Sequence, residues 1–300
     1  MTGPVSVSHT GNDALALGGS SGHISVDTNA PVIASHSSAD CESPLKHGNV
    51  TSPFLTKGVL RPVFIYSNVA QPSLNSYSQV GQDLVIQELM KEHELRSGRA
   101  EKYFIDLAVN DAIKWSNTLL FEQKGWGGLC IEPNPTYWYG LAAFRKCLVL
   151  GSFVGGTENG IEVNVSLNNG VFGGIVGDGF DNKAGKSDEK RNLLAISTAL
   201  GLASSPKIID YLSLDVEGAE LIIMQDFPFD EYKIRFATVE RPSEALRSLF
   251  VEKGYLNVNL TISRFGETIW YNPQHIAMSS VEVEGIVRSV APKGVFPFSW

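Results

Sequence analysis

Apolar positions in "YSQVGQDLVIQELMKEHEL" recur at helical spacing. Val80, Leu84, Val85 and Leu89 fall on one face, which predicts an amphipathic helix with Ser78 as its N-cap. From Tyr103 the pattern changes to short apolar runs separated by helical stretches. The runs Tyr103–Leu107, Gly128–Glu132, Leu148–Val154, Asp210–Leu214 and Arg235–Glu240 predict strands. Between and after them, Asn117–Lys124, Pro135–Arg145, Ala219–Gln225 and Ser243–Lys253 predict helices. Gly125 and Gly254 close the first and last of these, and Pro135 suits a first helical turn because it has no N–H to satisfy. "YLNVNLTISR" and "TIWYN" supply two further strands. Strands alternating with helices define an α/β class with a mostly parallel sheet and helices on both faces, closed by an antiparallel strand.

Two regions break this rhythm. Residues 1–52 contain no Phe, Trp or Tyr and only five charged residues, and are rich in Ser, Gly, His and Thr. Such a segment buries too little apolar surface to offset its ordering entropy, so residues 1–75 are expected to be a disordered extension ahead of a domain spanning 76–300. Residues 155–205 form a long insertion between the third and fourth main strands. It opens with "GIEVNVSL", a candidate small strand, and carries "AGKS" at Ala184–Ser187. A phosphate loop there requires glycine at position 180, where the chain has Phe180, and a strand leading straight into it. A surface loop, or a lid over a site, is the expectation.

The chain has 300 residues, a formal net charge of -8 and a pI near 5.3, which argues against nucleic acid as the partner. No apolar run is long enough to cross a bilayer and no leader pattern is visible. The default expectation is cytoplasmic. Cys41, Cys130 and Cys147 form no CxxC pair and no metal-ligand spacing, so no disulfide is expected, and Cys130 reads as a small buried apolar residue. Asn49, Asn164 and Asn259 stand in N-x-S/T triplets, which matter only in a secreted chain.

Open parallel sheets bind ligands at the carboxyl ends of their strands, and four acids fall at such ends. Asp106 closes the first strand, Glu132 the second, Asp215 the fourth and Glu240 the fifth. Glu132 follows Asp106 by 26 residues, the spacing of a carboxylate that takes both ribose hydroxyls of an adenosine; a solvated acid ahead of "PNP" is the plainer reading. In "IDYLSLDVEGAEL" Asp215 ends a strand, Glu217 and Glu220 open a helix, and Gly218 lets backbone come close. Carboxylates at a helix start are stabilised by its dipole. Facing a cleft, Asp215 could orient a hydroxyl, accept its proton or, with Glu240, hold a divalent metal such as magnesium. The turn after the first strand lacks G-x-G-x-x-G, which counts against a nicotinamide or flavin fold. Ala108 and Ala112 stand where glycines are expected. Asn110 and Asp111 tolerate left-handed backbone, so the turn is expected to bend there.

Taken together, "SQVGQD", "SNTLLFEQKGWGGLCIEPNPTYW", "FRKC", "IDYLSLDVEGAEL" and "VERP" followed by "GY" resemble the FkbM-like S-adenosylmethionine-dependent methyltransferases over residues 78–255. "DLAVNDA" keeps Asp106, Asn110 and Asp111 of the family's first motif and departs at Ala108, Val109 and Ala112. The resemblance implies a Rossmann-like class I methyltransferase sheet of seven strands. It implies S-adenosyl-L-methionine held by Asp106, Ala108, Asn110, Asp111, Ser116, Asn117 and Glu132. It also implies methyl transfer to a hydroxyl of a sugar, glycan or natural product, with Asp215, Glu217 and Glu240 as catalytic residues. The only histidines of the domain, His93 and His275, lie outside these motifs, so a carboxylate or metal is expected to assist. The alternative is a fold kept as a catalytically inactive binding or scaffolding module.

Overall fold

The computed structural model describes residues 76–168, 170–182, 189–261 and 266–291, together with the backbone of four short strands, Ser6–His9, Ala14–Ala16, Val32–Ser35 and Phe296–Pro297. Beyond those strands the expected disordered extension lies outside the described residues, as does the "AGKS" segment.

Seven strands build the domain: β1 (Tyr103–Leu107), β2 (Gly127–Ile131), β3 (Leu148–Gly151), β4 (Ile208–Leu214), β5 (Lys233–Glu240), β6 (Leu256–Thr261) and β7 (Glu267–Tyr271). Their spatial order is β6-β7-β5-β4-β1-β2-β3. The five from β3 to β5 run parallel, while β7 is antiparallel to β5 and β6 to β7. The result is a mixed α/β protein with a mostly parallel sheet. Strand Val32–Ser35 pairs antiparallel with the outer edge of β3, and Phe296–Pro297 with β6.

Alternation along the strands feeds two cores. Ile105, Leu107, Leu129, Ile131, Leu212 and Leu214 point to the face covered by helices α4 (Ile196–Leu202), α5 (Glu220–Met224) and α6 (Glu244–Glu252). Phe104, Cys130, Tyr211 and Phe236 point to the face covered by α1 (Gln82–Ser97), α3 (Pro135–Phe144) and α7 (Ser280–Val290), with Phe121 of α2 (Leu119–Gln123). Strands buried on both faces are what βαβ crossovers require.

Several expectations need correction. The first helix is capped by Gly81, at φ +92°, and not by Ser78. The buried Asp83 carboxylate accepts from the Ser78 Oγ at 2.6 Å and from the Tyr77 N–H at 2.7 Å, folding the chain back so that the helix starts at Gln82. The expected strand Leu148–Val154 divides at Ser152. Leu148–Gly151 stays in the main sheet, and Phe153–Val154 joins a second sheet. This sheet orders Phe153–Val154, Glu189–Leu194, Glu162–Ser166 and Gly174–Ile175 side by side. "GIEVNVSL" does supply a strand of it. The helix expected at Asn117–Lys124 is shortened to α2, because Asn117 turns inward toward β4. Cys130 is fully buried, as expected, but a disulfide joins it to Cys147, with the Cα atoms 5.9 Å apart. β2 and β3 are adjacent parallel strands, and their pairing brings the two sulfurs together although sequence spacing gives no hint of it.

Candidate functional site

The strand order reverses between β1 and β4, where connections leave in opposite directions and open a crevice beyond the carboxyl ends. Non-glycine residues with left-handed backbone gather at that edge: Ala108 (φ 58°), Asn110 (55°), Trp115 (62°), Glu217 (55°) and Arg241 (43°). Each is unfavourable for an L-residue. The bend therefore lies at Ala108 and Asn110, and not at Asn110 and Asp111 as expected. Asp111 instead accepts from the N–H groups of Ile113 (2.9 Å) and Lys114 (2.7 Å) and fixes the loop that follows. Ala112 is buried without a left-handed φ.

Beside this turn, the Glu132 carboxylate is 2% exposed and accepts from the N–H groups of Asn110 and Asn134, both at 2.7 Å. Burial raises its pKa to about 7 against those hydrogen bonds. An apolar cleft opens next to it, lined by Leu107, Ala108, Ile131, Phe153, Ile175 and Val216. Its roof is the small second sheet, whose own core holds Phe153, Val165, Ile175 and Leu193.

Asp106 faces the other way. It shares the face of Phe104, where its carboxylate accepts from the Thr118 Oγ1 at 2.6 Å. Arg145 is fully buried and donates to Thr118 Oγ1 (2.7 Å), Ser116 Oγ (3.2 Å) and Glu122 Oε1 (2.6 Å). Asp106 and Ser116 thus belong to a closed polar network behind the turn. Asn117 Nδ2 donates to Ser213 Oγ at 3.0 Å, while its Oδ1 is a buried acceptor without a donor.

Beyond β4 and β5 the structure brings Asp215, Glu217 and Glu240 together, each with a carboxylate oxygen within 4.8 Å of the others. Glu217 does not open the helix as expected. It sits in the turn ahead of α5, with Ala219 as N-cap. Gly218 is needed there, because a Cβ would stand 2.8 Å from the backbone N of Asp181 in the insertion. Arg241 Nη2 lies 2.9 Å from Asp181, 3.0 Å from Glu240 and 3.3 Å from Glu217. Burial, then Glu240, Glu267 and Glu217, push the Asp215 carboxyl well above its ordinary value. Burial and Glu240 raise Glu217 to about 7 and Glu267 to about 8. Glu267 on β7 is hydrogen-bonded to Gln82 and Thr238. His93 is buried away from this edge, with its Nδ1 accepting from Ala277 N–H.

Sequence reasoning missed Glu267, Gln82 and the bracing by Arg145. The only trace of Gln82 was its place inside "SQVGQD", and Glu267 stands just ahead of the expected strand "TIWYN" with nothing to single it out. Arg145 stood in "FRKC" with nothing to mark it as buried.

A family model for the Methyltransferase FkbM domain matches residues 106–258, half of the chain, and the chain belongs to that methyltransferase family. Neither the curated proteins nor the solved structures compared with the chain gave a match. Methyl transfer by a transferase of this family implies S-adenosylmethionine in general terms. Among the described residues no helix is long and apolar enough to cross a membrane.

Proposed function

We propose that the protein is an S-adenosylmethionine-dependent O-methyltransferase of the Rossmann-like class I fold, acting on a hydroxyl of a sugar or natural product. The observation that carries this is the pairing of two half-sites across the point where strand order reverses. On one side are an apolar cleft and the Glu132 carboxylate; on the other are three converging carboxylates. The donor set fits the cofactor. The cleft would take the adenine. Glu132, oriented by two N–H groups, keeps lone pairs for the ribose hydroxyls. Asn117 Oδ1, a buried acceptor without a donor, would take the ammonium of the amino-acid end. Ala108 and Asn110 shape the turn against the ligand, and Asp106, Asp111 and Ser116 hold that turn from behind.

The bound cofactor supplies a methyl group on a sulfonium. A neutral hydroxyl is a weak nucleophile and needs its proton removed. Asp215 in its ionised form is the base: burial, then its neighbours Glu240, Glu267 and Glu217, make its carboxylate unusually basic. Glu240 and Glu217 orient the hydroxyl, with Arg241 limiting their repulsion. The same three carboxylates are also a donor set for magnesium, of the oxygen type that cation prefers, and chelator sensitivity of turnover reads that arrangement.

Calorimetry and thermal unfolding test the cofactor. Ligand at 100 times its Kd stabilises the fold by about 2.7 kcal/mol, or about 5–10 °C at roughly 2–4 °C per kcal/mol. Glu132→Ala should shrink the shift at fixed ligand concentration. No shift in the parent and none in Ala108→Gly would leave a scaffold and sink the proposal.

A further inference from the structure

The roof sheet has two unlike faces. Along its strand Glu162–Ser166, Val163 and Val165 turn inward and pack with Phe153, Leu193 and Ile175. Glu162 and Asn164 turn outward and are exposed, as is Lys190, which stands opposite Asn164 on the neighbouring strand. The Lys190 ammonium meets the Glu162 carboxylate at 2.5 Å, and the Asn164 carbonyl accepts from the Val176 N–H at 2.8 Å. The backbone of Asn164 is therefore fixed in the sheet while its side-chain amide stands in solvent. Asn164, Val165 and Ser166 form one of the three N-x-S/T triplets. The side chains of the triplets at Asn49 and Asn259 lie outside the described residues. Asn164 lines neither the cleft nor the carboxylate cluster, so a bulky group attached to it obstructs neither.

Such a triplet acquires meaning only where chains are glycosylated, and a separate region of the molecule supplies that condition. The Cys130–Cys147 disulfide is buried in the core that holds Phe121, Leu141 and Val149. The Glu122 carboxylate lies within 4.8 Å of both sulfurs, and a buried acid there disfavours the thiolate, the form in which cysteine exchanges. Dissolved thiols do not reach sulfurs in that position, so the bond is made as the chain folds and is then kept. Closing it takes two protons and two electrons from the thiols, which a disulfide oxidant accepts as it becomes a dithiol. The secretory pathway supplies such oxidants, whereas cytosolic pools keep thiols reduced.

We propose that Asn164 is an N-glycosylation site and that the chain folds in an oxidising compartment of the secretory type, against the cytoplasmic expectation. The donor is a lipid diphosphate-linked oligosaccharide. Asn164 Nδ2 forms the new bond to the anomeric carbon, the bond from that carbon to the phosphate oxygen breaks, the lipid diphosphate leaves and the amide proton passes to a base. Nothing in this depends on the methyl-transfer reading, because no step uses its cofactor or its carboxylates.

Full-length protein isolated from its own cells is alkylated without reduction, and its peptides are mapped by mass spectrometry before and after N-glycosidase treatment in heavy-oxygen water. The Asn164 peptide should emerge on treatment, carrying heavy-oxygen Asp at that position. Cys130 and Cys147 should appear as one linked peptide pair until reductant is added. Expressed in the same cells, Asn164→Gln and Ser166→Ala should each lose one glycan step on a gel, and Ser166→Thr should keep it. The melting temperature of Asn164→Gln should match that of the deglycosylated parent, since the side chain stands in solvent. An Asn164 peptide found unmodified before treatment, with no heavy-oxygen form after it, overturns the site, whatever the other two triplets carry. Cys130 and Cys147 both alkylated without reduction overturn the oxidising compartment.

Discussion

The polar network behind β1 and the acid cluster beyond β4 and β5 are made of the same residue types at the same edge of the sheet. Around Asp106 and Glu122 the donors suffice. Thr118 donates to Asp106, the Lys146 N–H and the buried Arg145 guanidinium donate to Glu122, and Arg145 also ties in Thr118 and Ser116. Around Asp215 they do not. Glu217, Glu240 and Glu267 share its surroundings, and the arginine that reaches two of them is half exposed. Carboxylates supplied with fixed donors are tied into the fold, although burial still raises the Asp106 carboxyl above its ordinary value. Carboxylates that face one another hold protons near neutral pH, which is what acid–base chemistry needs.

Removing the cation from the settled network should therefore have the largest effect. Arg145→Met leaves Glu122 buried without its partner, a loss of about 3–5 kcal/mol. Chemical denaturation should show it, and a change below about 1 kcal/mol would mean that the pair is dispensable. The cluster should behave oppositely. Asp215→Asn should cut methyl transfer by about 10²- to 10⁴-fold, yet leave the fold as stable or more so, since it relieves crowding of like charges. The pH dependence follows the same logic. Glu132 and Glu217 at about 7 and Glu267 at about 8 lie above the usual glutamate value of 4.5. The folded protein thus binds more protons than the unfolded chain between about pH 4.5 and 8, and its stability falls as pH rises through that window. Melting of the ligand-free protein should occur at lower temperature at pH 8 than at pH 5.5, with a shallower slope in Asp215→Asn; a flat profile in the parent would contradict the protonation states. The smallest effect separates the two alanines of the turn. Ala108→Gly removes a left-handed Cβ and should stabilise by about 0.5–1 kcal/mol after the entropy of glycine is counted. Ala112→Gly loses a buried methyl at an ordinary φ and should cost about 1 kcal/mol. Equal changes in both would show that the turn carries no strain at Ala108.

How far these two regions could be read from sequence differs for a physical reason. The strands β1, β2, β4 and β5 announce themselves by apolar runs, and an acid at the end of such a run is visible because it breaks the run. Glu132, Asp215 and Glu240 were found in this way. Arg145 and Glu122 lie on helices or at their ends, where charged residues are ordinary, and only the packing of α2 against the end of α3 buries them. Glu267 opens a strand whose neighbour is β5, a pairing set by the long return of the chain through β6. The Cys130–Cys147 bond depends on strand adjacency, which no local pattern encodes. Ala108 was legible as a missing glycine, but its left-handed φ is imposed by β2, whose Ile131 carbonyl accepts from the N–H groups of Ala108 and Val109.

The insertion leaves the domain at Phe153–Val154 and returns at Glu189–Leu194, and these two strands lie side by side, with Gly155 N–H donating to the Leu194 carbonyl at 3.0 Å. Its exit and its re-entry are one place. A segment anchored in this manner can grow or shrink with a closure cost of only about 0.6 kcal/mol for each doubling in length, and the sheet beneath feels no change of register. The roof of the cleft is thus the part of this architecture freest to be remodelled, and a lineage could exchange it wholesale while the strands that carry Glu132 and Asp215 stay as they are.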